Sequence, residues 1–599
     1  METTLPFFRD PSQSTDARIH DLLSQMTLAE KIGQMTQIEN LSIAPQDVSD
    51  YLIGSVLSGG NGTPQPENNP HAWAKMVYDY VEASLHTRLA IPLVYGADAV
   101  HGHNGVKGAT IFPHNIALGA TRNADLVRQI GQATAQAMLA TGIYWNFAPA
   151  VSVPRDIRWG RTYEGYSENT DLVIELAMAF IEGMANPDLE GAWVMPSVKH
   201  FVADGGTDWN SVRPSVWLLQ NNEQAADDNF KLDQGDATVS ETELRERFLA
   251  PYAEAVKRGV LNVMASHSSW QGVKMNGHHY LMTDVLKHEL GFKGFIVSDW
   301  MSVDAVAENY YDAVVTSINA GLDMCMVPYD FKRFIGVVTQ AVEQGDISMS
   351  RIDDAVTRIL RAKFALGLFE QPHTDEAWLT HIGSQAHRKL ARQAVQQSAV
   401  LLKHTHDTLA INPNATLYVG GIGANDIGLA CGGWTVGWQG SAGAVTDGRT
   451  LLDGLTTQHL GQIHYHPEGT FEGMAEVGIA VIAEYPYAEG FGDRSKLQVD
   501  DAQVQMVTRL REHCQKLVLV VYCGRPLAIT ILIELADVVV VGWLPGTEAD
   551  ALADVLYGKI PFTGKLSYAW IADMTQVPRA TLDQSDVTPL YPFGHGLSI

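Results

Sequence analysis

Three short segments of the chain carry side chains that could bind or transform a polar molecule. The apolar runs Leu93–Asp98 and Gly294–Asp299 each end in a carboxylate, and Trp300 follows the second run. A third run carries Lys199 and His200 near its end. Carboxylates and cations bind hydroxyl groups through charge-assisted hydrogen bonds, and an indole face packs against the apolar C–H face of a ring. Brought together, these residues predict a polar pocket with an aromatic wall.

The elements that would position these residues alternate between strand and helix patterns. Eight apolar strand candidates recur over the first part of the chain, with helical spacing between several of them. This rhythm predicts a (β/α)8 barrel over residues 1–369, whose strands carry reactive side chains at their carboxyl ends. The strand candidates are Gln34–Ile38, Ile53–Leu57, Leu93–Asp98, Tyr144–Ala148, Val194–Phe201, Asn262–His267, Gly294–Asp299 and Gly321–Val327.

Beyond the barrel, the sequence predicts a linker over residues 370–395 and a second α/β domain over residues 396–599. Continuous β-branched runs such as Val518–Val521 are typical of strands buried on both faces. Within the barrel, the polar stretch Trp209–Lys231 predicts a long surface loop, and loops of this length are usually functional or mobile.

Composition excludes several classes of function. The chain has 599 residues with 41 Lys and Arg against 68 Asp and Glu, a net charge of -27 that repels nucleic acid. No run of about 18 apolar residues occurs, so no membrane span is predicted. The N-terminus lacks the basic and apolar regions of a signal peptide. The protein is expected in the cytoplasm if the chain is complete, and in the periplasm or outside the cell if a signal peptide has been removed.

Long motifs in a fixed order resemble glycoside hydrolase family 3, in particular its plant-type exo-β-glucanases and bacterial β-glucosidases. The resemblance runs from about Arg18 to the end of the chain. It implies a (β/α)8 barrel followed by an α/β sandwich, in agreement with the pattern of elements. The motifs are Met26–Met35, Gly96–Asn104, Ile111–Asn115, Arg158–Arg161, Lys199–Gly205, Val297–Trp300 and Cys431–Gly440.

The resemblance implies a role for each matching residue. Asp299 is implied as the nucleophile, and Glu484, at the end of a strand of the second domain, as the acid/base, with Glu489 as the alternative. Trp300 and Trp438 are implied to sandwich the second sugar, which places the pocket between the domains. The implied substrate-binding residues are Asp98, Arg161, Lys199, His200, Asp204, His267, Trp300 and Trp438.

The chain departs from the plant-type pattern at two positions. His267 stands where a tyrosine is common, and Ala305 replaces a cation near the outer sugar. These departures put the linkage preference in doubt, but not the reaction. Three nearby histidines, His101, His103 and His114, lack a carboxylate or cysteine at metal-ligand spacing, so they are interpreted as loop residues packed near the pocket.

The sequence therefore predicts a retaining, exo-acting β-glucosidase or β-glucan glucohydrolase that removes glucose from non-reducing ends and needs no metal or other cofactor. Its predicted partner is a β-glucoside or β-glucan oligosaccharide, bound by a monomer or homodimer. The alternatives are a β-xylosidase or β-N-acetylglucosaminidase of the same family, a carbohydrate-binding homologue without catalysis, and a metal-dependent barrel hydrolase. Linkage and chain-length preference are not determined by the sequence.

Overall fold

A computed structural model of the chain describes residues 6–189, 191–212, 228–405, 408–578 and 588–598. Eight short parallel strands form one sheet: β1 (Thr36–Glu39), β2 (Ser55–Ser58), β3 (Val94–Ala97), β4 (Trp145–Asn146), β5 (Met195–Phe201), β6 (Asn262–Ala265), β7 (Phe295–Val297) and β8 (Cys325–Met326). Their order in the sheet is β7-β6-β5-β4-β3-β2-β1-β8.

The eight-stranded sheet closes on itself. Val297 at the end of β7 forms a parallel bridge with Met324 beside β8, and the Ser298 N–H donates to the Met324 carbonyl at 3.0 Å. Each observed strand falls within or one residue beyond its predicted segment. The (β/α)8 barrel is confirmed, and the carboxyl ends of its strands meet at one face.

Helices surround the barrel between its strands. The helix after β5 is capped at its N-terminus, since the Ser240 hydroxyl accepts the Glu243 N–H at 3.2 Å. That helix contains a π-helical segment at Leu244–Leu249. The main barrel helices are Thr15–Gln25, Leu28–Gln34, Pro45–Tyr51, Pro70–Leu85, Asn115–Thr121, Ala124–Ala140, Thr170–Ala185, Ala250–Lys257, Tyr310–Ala320, Phe331–Gln344 and Met349–Ala365.

A second sheet of six strands forms the C-terminal domain, in the order β9-β14-β13-β12-β10-β11. Its strands are β9 (Val400–His404), β10 (Leu417–Gly420), β11 (Ile463–His466), β12 (Ala475–Ala483), β13 (Cys514–Tyr522) and β14 (Val538–Trp543). Only β9 runs antiparallel to its neighbour among the described strands of this sheet. The helices here are Ile427–Cys431, Leu451–Gln458, Asp501–Glu512, Thr530–Leu535 and Leu552–Leu556.

The segment between the two sheets differs from the predicted linker. Residues 370–395 include a 3-10 turn at Glu376–His381 and most of a helix at Gln385–Ser398. This helix buries Ala391, Ala394 and Val395, so it is part of the packed structure. Of the predicted loop Trp209–Lys231, residues 213–227 lie outside the described part. None of the described helices is both long and apolar enough to span a membrane.

Candidate active site

A cavity of about 1100 Å³ lies at the carboxyl ends of the barrel strands and is closed on one side by the second domain. The barrel contributes Asp98, Lys199 and Asp299, which follow or end three different strands. The second domain contributes Trp438 and Glu489. The cavity is slightly larger than the upper end of the usual range for small-molecule sites, roughly 300–1,000 Å³. It can therefore hold more than one sugar ring.

Asp299 stands two residues after β7, between two imidazoles. The Nε2 atoms of His267 and His200 each lie 3.7 Å from one of its carboxylate oxygens. The Trp300 N–H donates to Oδ1 at 2.6 Å and fixes the carboxylate. Burial alone would raise the pKa of Asp299, but the two imidazoles and a nearby guanidinium hold it below its usual value. Asp299 is therefore ionised at neutral pH, as a nucleophile must be.

The two imidazoles beside Asp299 are neutral at neutral pH. Burial lowers the pKa of both His200 and His267. The Nδ1 of His200 lies 2.9 Å from Asp204 Oδ2, which orients the ring so that Nε2 faces the cavity. Asp204 in turn accepts the Ser152 hydroxyl at 2.6 Å. The Arg161 guanidinium therefore supplies positive charge near Asp299 at neutral pH, and the imidazoles add to it only at a pH low enough to protonate them.

Lys199 and Asp98 form a buried ion pair on the cavity wall. The Lys199 Nζ donates to Asp98 Oδ1 at 3.0 Å. Burial raises the pKa of Asp98, and the charge of Lys199 opposes that shift. One carboxylate oxygen and the remaining ammonium protons can therefore bind neighbouring hydroxyl groups of one sugar.

Arg161 connects the barrel to the second domain. Its guanidinium lies 2.9 Å from Glu164 and 3.1 Å from Glu489, which belongs to the second domain. Glu164 also accepts the Trp434 indole N–H at 3.1 Å. Burial opposes the charge of Arg161, but the Glu164 and Glu489 carboxylates hold its pKa well above the usual value. Arg161 is thus a permanent cation between the domains.

Glu484, the predicted acid/base, lies in contact with a buried arginine of the second domain. Glu484 does follow the carboxyl end of β12, as predicted. Its Oε2 accepts the Gly524 N–H at 2.8 Å, and its Oε1 lies 3.2 Å from Arg525 Nε. Glu484 is not among the residues lining the cavity, whereas Glu489 is. Arg525 has no exposed surface and needs a counter-ion, which explains why Glu484 turns toward it.

Glu489, the sequence-level alternative, has the environment of a proton donor. Burial raises its pKa to about 8, and the negative charges of Asp233 and Asp299 act in the same direction. Only Arg161 opposes this shift among the main causes. A carboxyl group with this pKa retains its proton at neutral pH.

Two tryptophans face the outer part of the cavity from opposite domains. Trp300 follows Asp299 in the chain. The backbone N–H of Trp438 donates to Asn61 Oδ1 at 3.0 Å. The loop after β2, which contains Gly59 and Gly60, lies against both tryptophans. A Cβ at Gly59 would lie 2.9 Å from the Trp300 ring, and one at Gly60 would lie 2.7 Å from the Trp438 backbone. The glycines therefore allow both rings to reach the mouth of the cavity.

Replacing Trp438 by Ala should raise KM for β-linked disaccharides about tenfold, because packing of the indole face on the outer sugar contributes about 1.5 kcal/mol of binding free energy. Methyl β-glucoside, which has no second ring, should be affected less than about twofold. Initial rates on both substrates measure this difference. An equal rise of KM for the two would contradict a role of Trp438 at the outer sugar.

Sequence reasoning missed several residues of the site. Glu39 ends β1 and lines the cavity, and burial raises its pKa to about 7. Its position at a strand end was the available signal. Glu164 lies three residues after Arg161, and Trp434 lies within the motif Cys431–Gly440. Their link to Arg161 depends on the contact between the two domains, in which Glu164 binds both Arg161 and Trp434. Ala305, where the resemblance implies a cation near the outer sugar in plant-type members, also lines the cavity.

The histidine cluster splits in two. His101 and His114 stack with ring centroids 3.7 Å apart, and their Nε2 atoms lie 3.0 Å from the carbonyls of Trp434 and Gly433. His103 lies against Trp73 instead. Within the described ranges, no group of three His, Cys, Asp or Glu side chains is placed to hold a metal ion. The first two histidines thus brace the loop that carries Trp434.

Comparisons with known proteins match almost the whole chain. The family model for the glycosyl hydrolase family 3 N terminal domain matches residues 27–362, and that for its C-terminal domain matches residues 399–599. Among solved structures, the exo-1,3/1,4-beta-glucanase of a Pseudoalteromonas species is 36% identical with a TM-score of 0.89. It is matched over 100% of this chain and 76% of its own.

Two curated relatives carry names of different activities. A lysosomal beta glucosidase of Dictyostelium discoideum is 29% identical over 97% of this chain and 76% of its own length. A beta-xylosidase of Formosa agariphila is 27% identical over 98% of this chain and 79% of its own length.

Proposed function

Since the chain belongs to glycoside hydrolase family 3, we propose that Asp299 is the nucleophile and Glu489 the acid/base of its reaction. The protein is a glycoside hydrolase, an exo-acting β-glucosidase that releases glucose with retained configuration. One observation supports the proposed division of roles. The two carboxyl groups face one cavity from two domains, and their environments shift the pKa of Asp299 down and that of Glu489 up to about 8.

In the first step, an Asp299 oxygen attacks the anomeric carbon as the bond from that carbon to the leaving oxygen breaks. Glu489 gives its proton to the leaving oxygen, so the second sugar departs as an alcohol and glucose remains as an ester of Asp299. In the second step, the ionised Glu489 takes a proton from water, whose oxygen displaces Asp299. Two displacements restore the β configuration.

The remaining polar residues hold the terminal glucose, and we assign them by their positions on the cavity wall. Asp98 and Lys199 bind hydroxyl groups together, and His200 presents Nε2 beside the nucleophile. Asp204 orients His200 and does not touch the sugar. Trp300 and Trp438 hold the second ring. A cavity at the strand ends that is lined by two partly exposed tryptophans suits removal of one sugar at a time from a chain end.

A time course of disaccharide hydrolysis followed by NMR should show β-glucose as the first product, with α-glucose appearing only by mutarotation. Disaccharides with β-1,2, β-1,3, β-1,4 and β-1,6 linkages, run in parallel, should all yield free glucose and establish the linkage preference. A xyloside run beside a glucoside tests the pentose alternative. Initial release of α-glucose would contradict the retaining mechanism.

A further inference from the structure

The loop that carries Glu489 is held by a segment of the barrel, residues 228–233. The Phe230 N–H donates to the Gly490 carbonyl at 2.8 Å, and the Asn229 side chain donates to the Phe491 carbonyl at 3.0 Å. A Cβ at Gly490 would lie 2.2 Å from the Phe230 ring, so the two segments lie in close contact. The position of the proposed acid is therefore set from the other domain.

Asp493 fastens this contact from the second domain. It has no exposed surface, and its Oδ2 accepts the backbone N–H groups of Lys231, Leu232 and Asp233 at 2.8, 2.7 and 3.0 Å. Its Oδ1 accepts the Gly160 N–H at 2.8 Å, next to Arg161 in the chain. One carboxylate thus joins the barrel segment to the loop of the bridging arginine.

Asp233 completes the contact in the opposite direction. It is 5% exposed, and its Oδ2 accepts the Gly490 N–H at 3.0 Å, directly after Glu489 in the chain. Its Oδ1 accepts the Trp159 indole N–H at 3.0 Å. Glu489 has a φ of 56°, a left-handed conformation that costs an L-residue about 1–2 kcal/mol. The bond from Gly490 to Asp233 helps hold that conformation.

Charge acts in the same direction as geometry. The negative charge of Asp233 raises the pKa of Glu489, and Asp299 and Glu164 add to this effect from the barrel. Arg161 opposes it. Burial also raises the pKa of Asp233, and the charges of Arg161 and of His267, which follows β6, oppose that shift. Burial and the charge of Asp233 also raise the pKa of Asp493 to about 7. Glu489 is therefore surrounded by more acidic than basic groups.

We propose that Asp233 is a positioning residue for the acid–base step, which aims Glu489 through its hydrogen bond with the Gly490 N–H. Asp233 does not line the cavity and exchanges no proton with the substrate. The inference rests on the assignment of Glu489 as acid/base under the proposed function. It explains why a barrel segment outside the pocket makes so many polar contacts to one loop of the second domain.

The test is Asp233→Asn, measured on two substrates that differ in their need for an acid. Asn offers one acceptor and one donor where Asp offers two acceptors, so an N–H group then faces either Trp159 or Gly490. For a β-linked disaccharide, kcat/KM should fall about 10- to 100-fold, part of the roughly 10²–10⁴-fold contribution of an acid. For dinitrophenyl β-glucoside, whose leaving group departs without a proton, kcat/KM should stay within about threefold of wild type.

The pH profile gives a second readout that loss of folding cannot imitate. The alkaline limb of kcat/KM for the disaccharide reports the acid of the free enzyme, and it should move to lower pH in Asp233→Asn by about one unit. The matched control is Asp236→Asn. Asp236 lies three residues beyond Asp233 in the chain and accepts the Gly272 N–H at 2.8 Å instead of a contact to the Glu489 loop, so neither readout should change.

Equal losses on both substrates, or an unmoved alkaline limb, would overturn the inference. If Asp233→Asn does not fold, Trp159→Phe removes one hydrogen-bond donor to Asp233 and should give the same substrate difference on a smaller scale. Equal changes of kcat/KM on the two substrates in Trp159→Phe would again overturn the inference. Glu489→Ala separates the two levels of the argument. Azide rescue of Glu489→Ala together with no substrate difference in Asp233→Asn would reject only the positioning role, whereas absence of azide rescue would reject the assignment of Glu489 itself.

Discussion

Asp299→Asn should lower the rate of glucose release from every β-glucoside by about 10⁴- to 10⁶-fold, a loss typical of enzymes whose catalytic nucleophile is removed. The amide has the size of the carboxylate and can keep the Trp300 N–H bond of 2.6 Å, so the pocket should retain its shape. It is neutral and a poor nucleophile, and the glucosyl ester cannot form. The rates on substrates with good and with poor leaving groups should fall by similar factors, because both steps of the reaction require Asp299.

A slow fluorinated β-glucoside should label wild-type protein at the peptide that contains Asp299 and leave Asp299→Asn unlabelled, as measured by mass spectrometry. Asp330→Asn is a suitable control, since Asp330 caps the helix Phe331–Gln344 and Asn caps helices equally well. Its rate should stay near wild type. A label on another carboxylate would contradict the assignment of the nucleophile.

The barrel was predictable because its strands are short, apolar and regularly spaced. Each strand is buried in the wall of a closed sheet, so local composition carries the signal. The carboxyl-end rule then placed Asp98, Lys199 and Asp299 on one face before any contact was known. What the pattern missed lies at the margins of the second sheet. The strands Val400–His404 and Ile463–His466 are edge strands with partly exposed polar residues, and neither reads as a continuous apolar run.

The choice between Glu484 and Glu489 could not be made from the sequence. Both carboxylates follow β12, and the strand-end rule favours the nearer one. The rule takes no account of Arg525, which is fully buried and pairs with Glu484. The loop beyond then presents Glu489 to the cavity, supported by a barrel segment that is also distant in sequence. The contact of Glu484 with Arg525 joins residues 41 positions apart, and that of Gly490 with Asp233 joins residues 257 positions apart, so no local pattern encodes them.

The same substitution should affect activity at Glu489 and stability at Glu484. Glu489→Ala should lower kcat/KM for β-linked disaccharides by about 10²–10⁴-fold, since the leaving sugar oxygen then departs without a proton. An activated aryl glucoside should still form the glucosyl ester of Asp299, which then accumulates because no base activates water. Azide needs no base and fits the space of the lost carboxylate, so it should restore turnover and yield β-glucosyl azide, detected by NMR.

Glu484→Ala should instead act on stability. Removing this carboxylate leaves the guanidinium of Arg525 buried without its counter-ion, at a cost of about 3 kcal/mol in the free energy of unfolding. Denaturant titration measures that loss, and azide should neither raise the rate nor give a glucosyl azide. If Glu484→Ala rather than Glu489→Ala produced the azide adduct, the acid would be Glu484, and the cavity would have to rearrange on binding substrate to admit it. The adduct therefore distinguishes a carboxylate that serves the reaction from one that holds the second domain together.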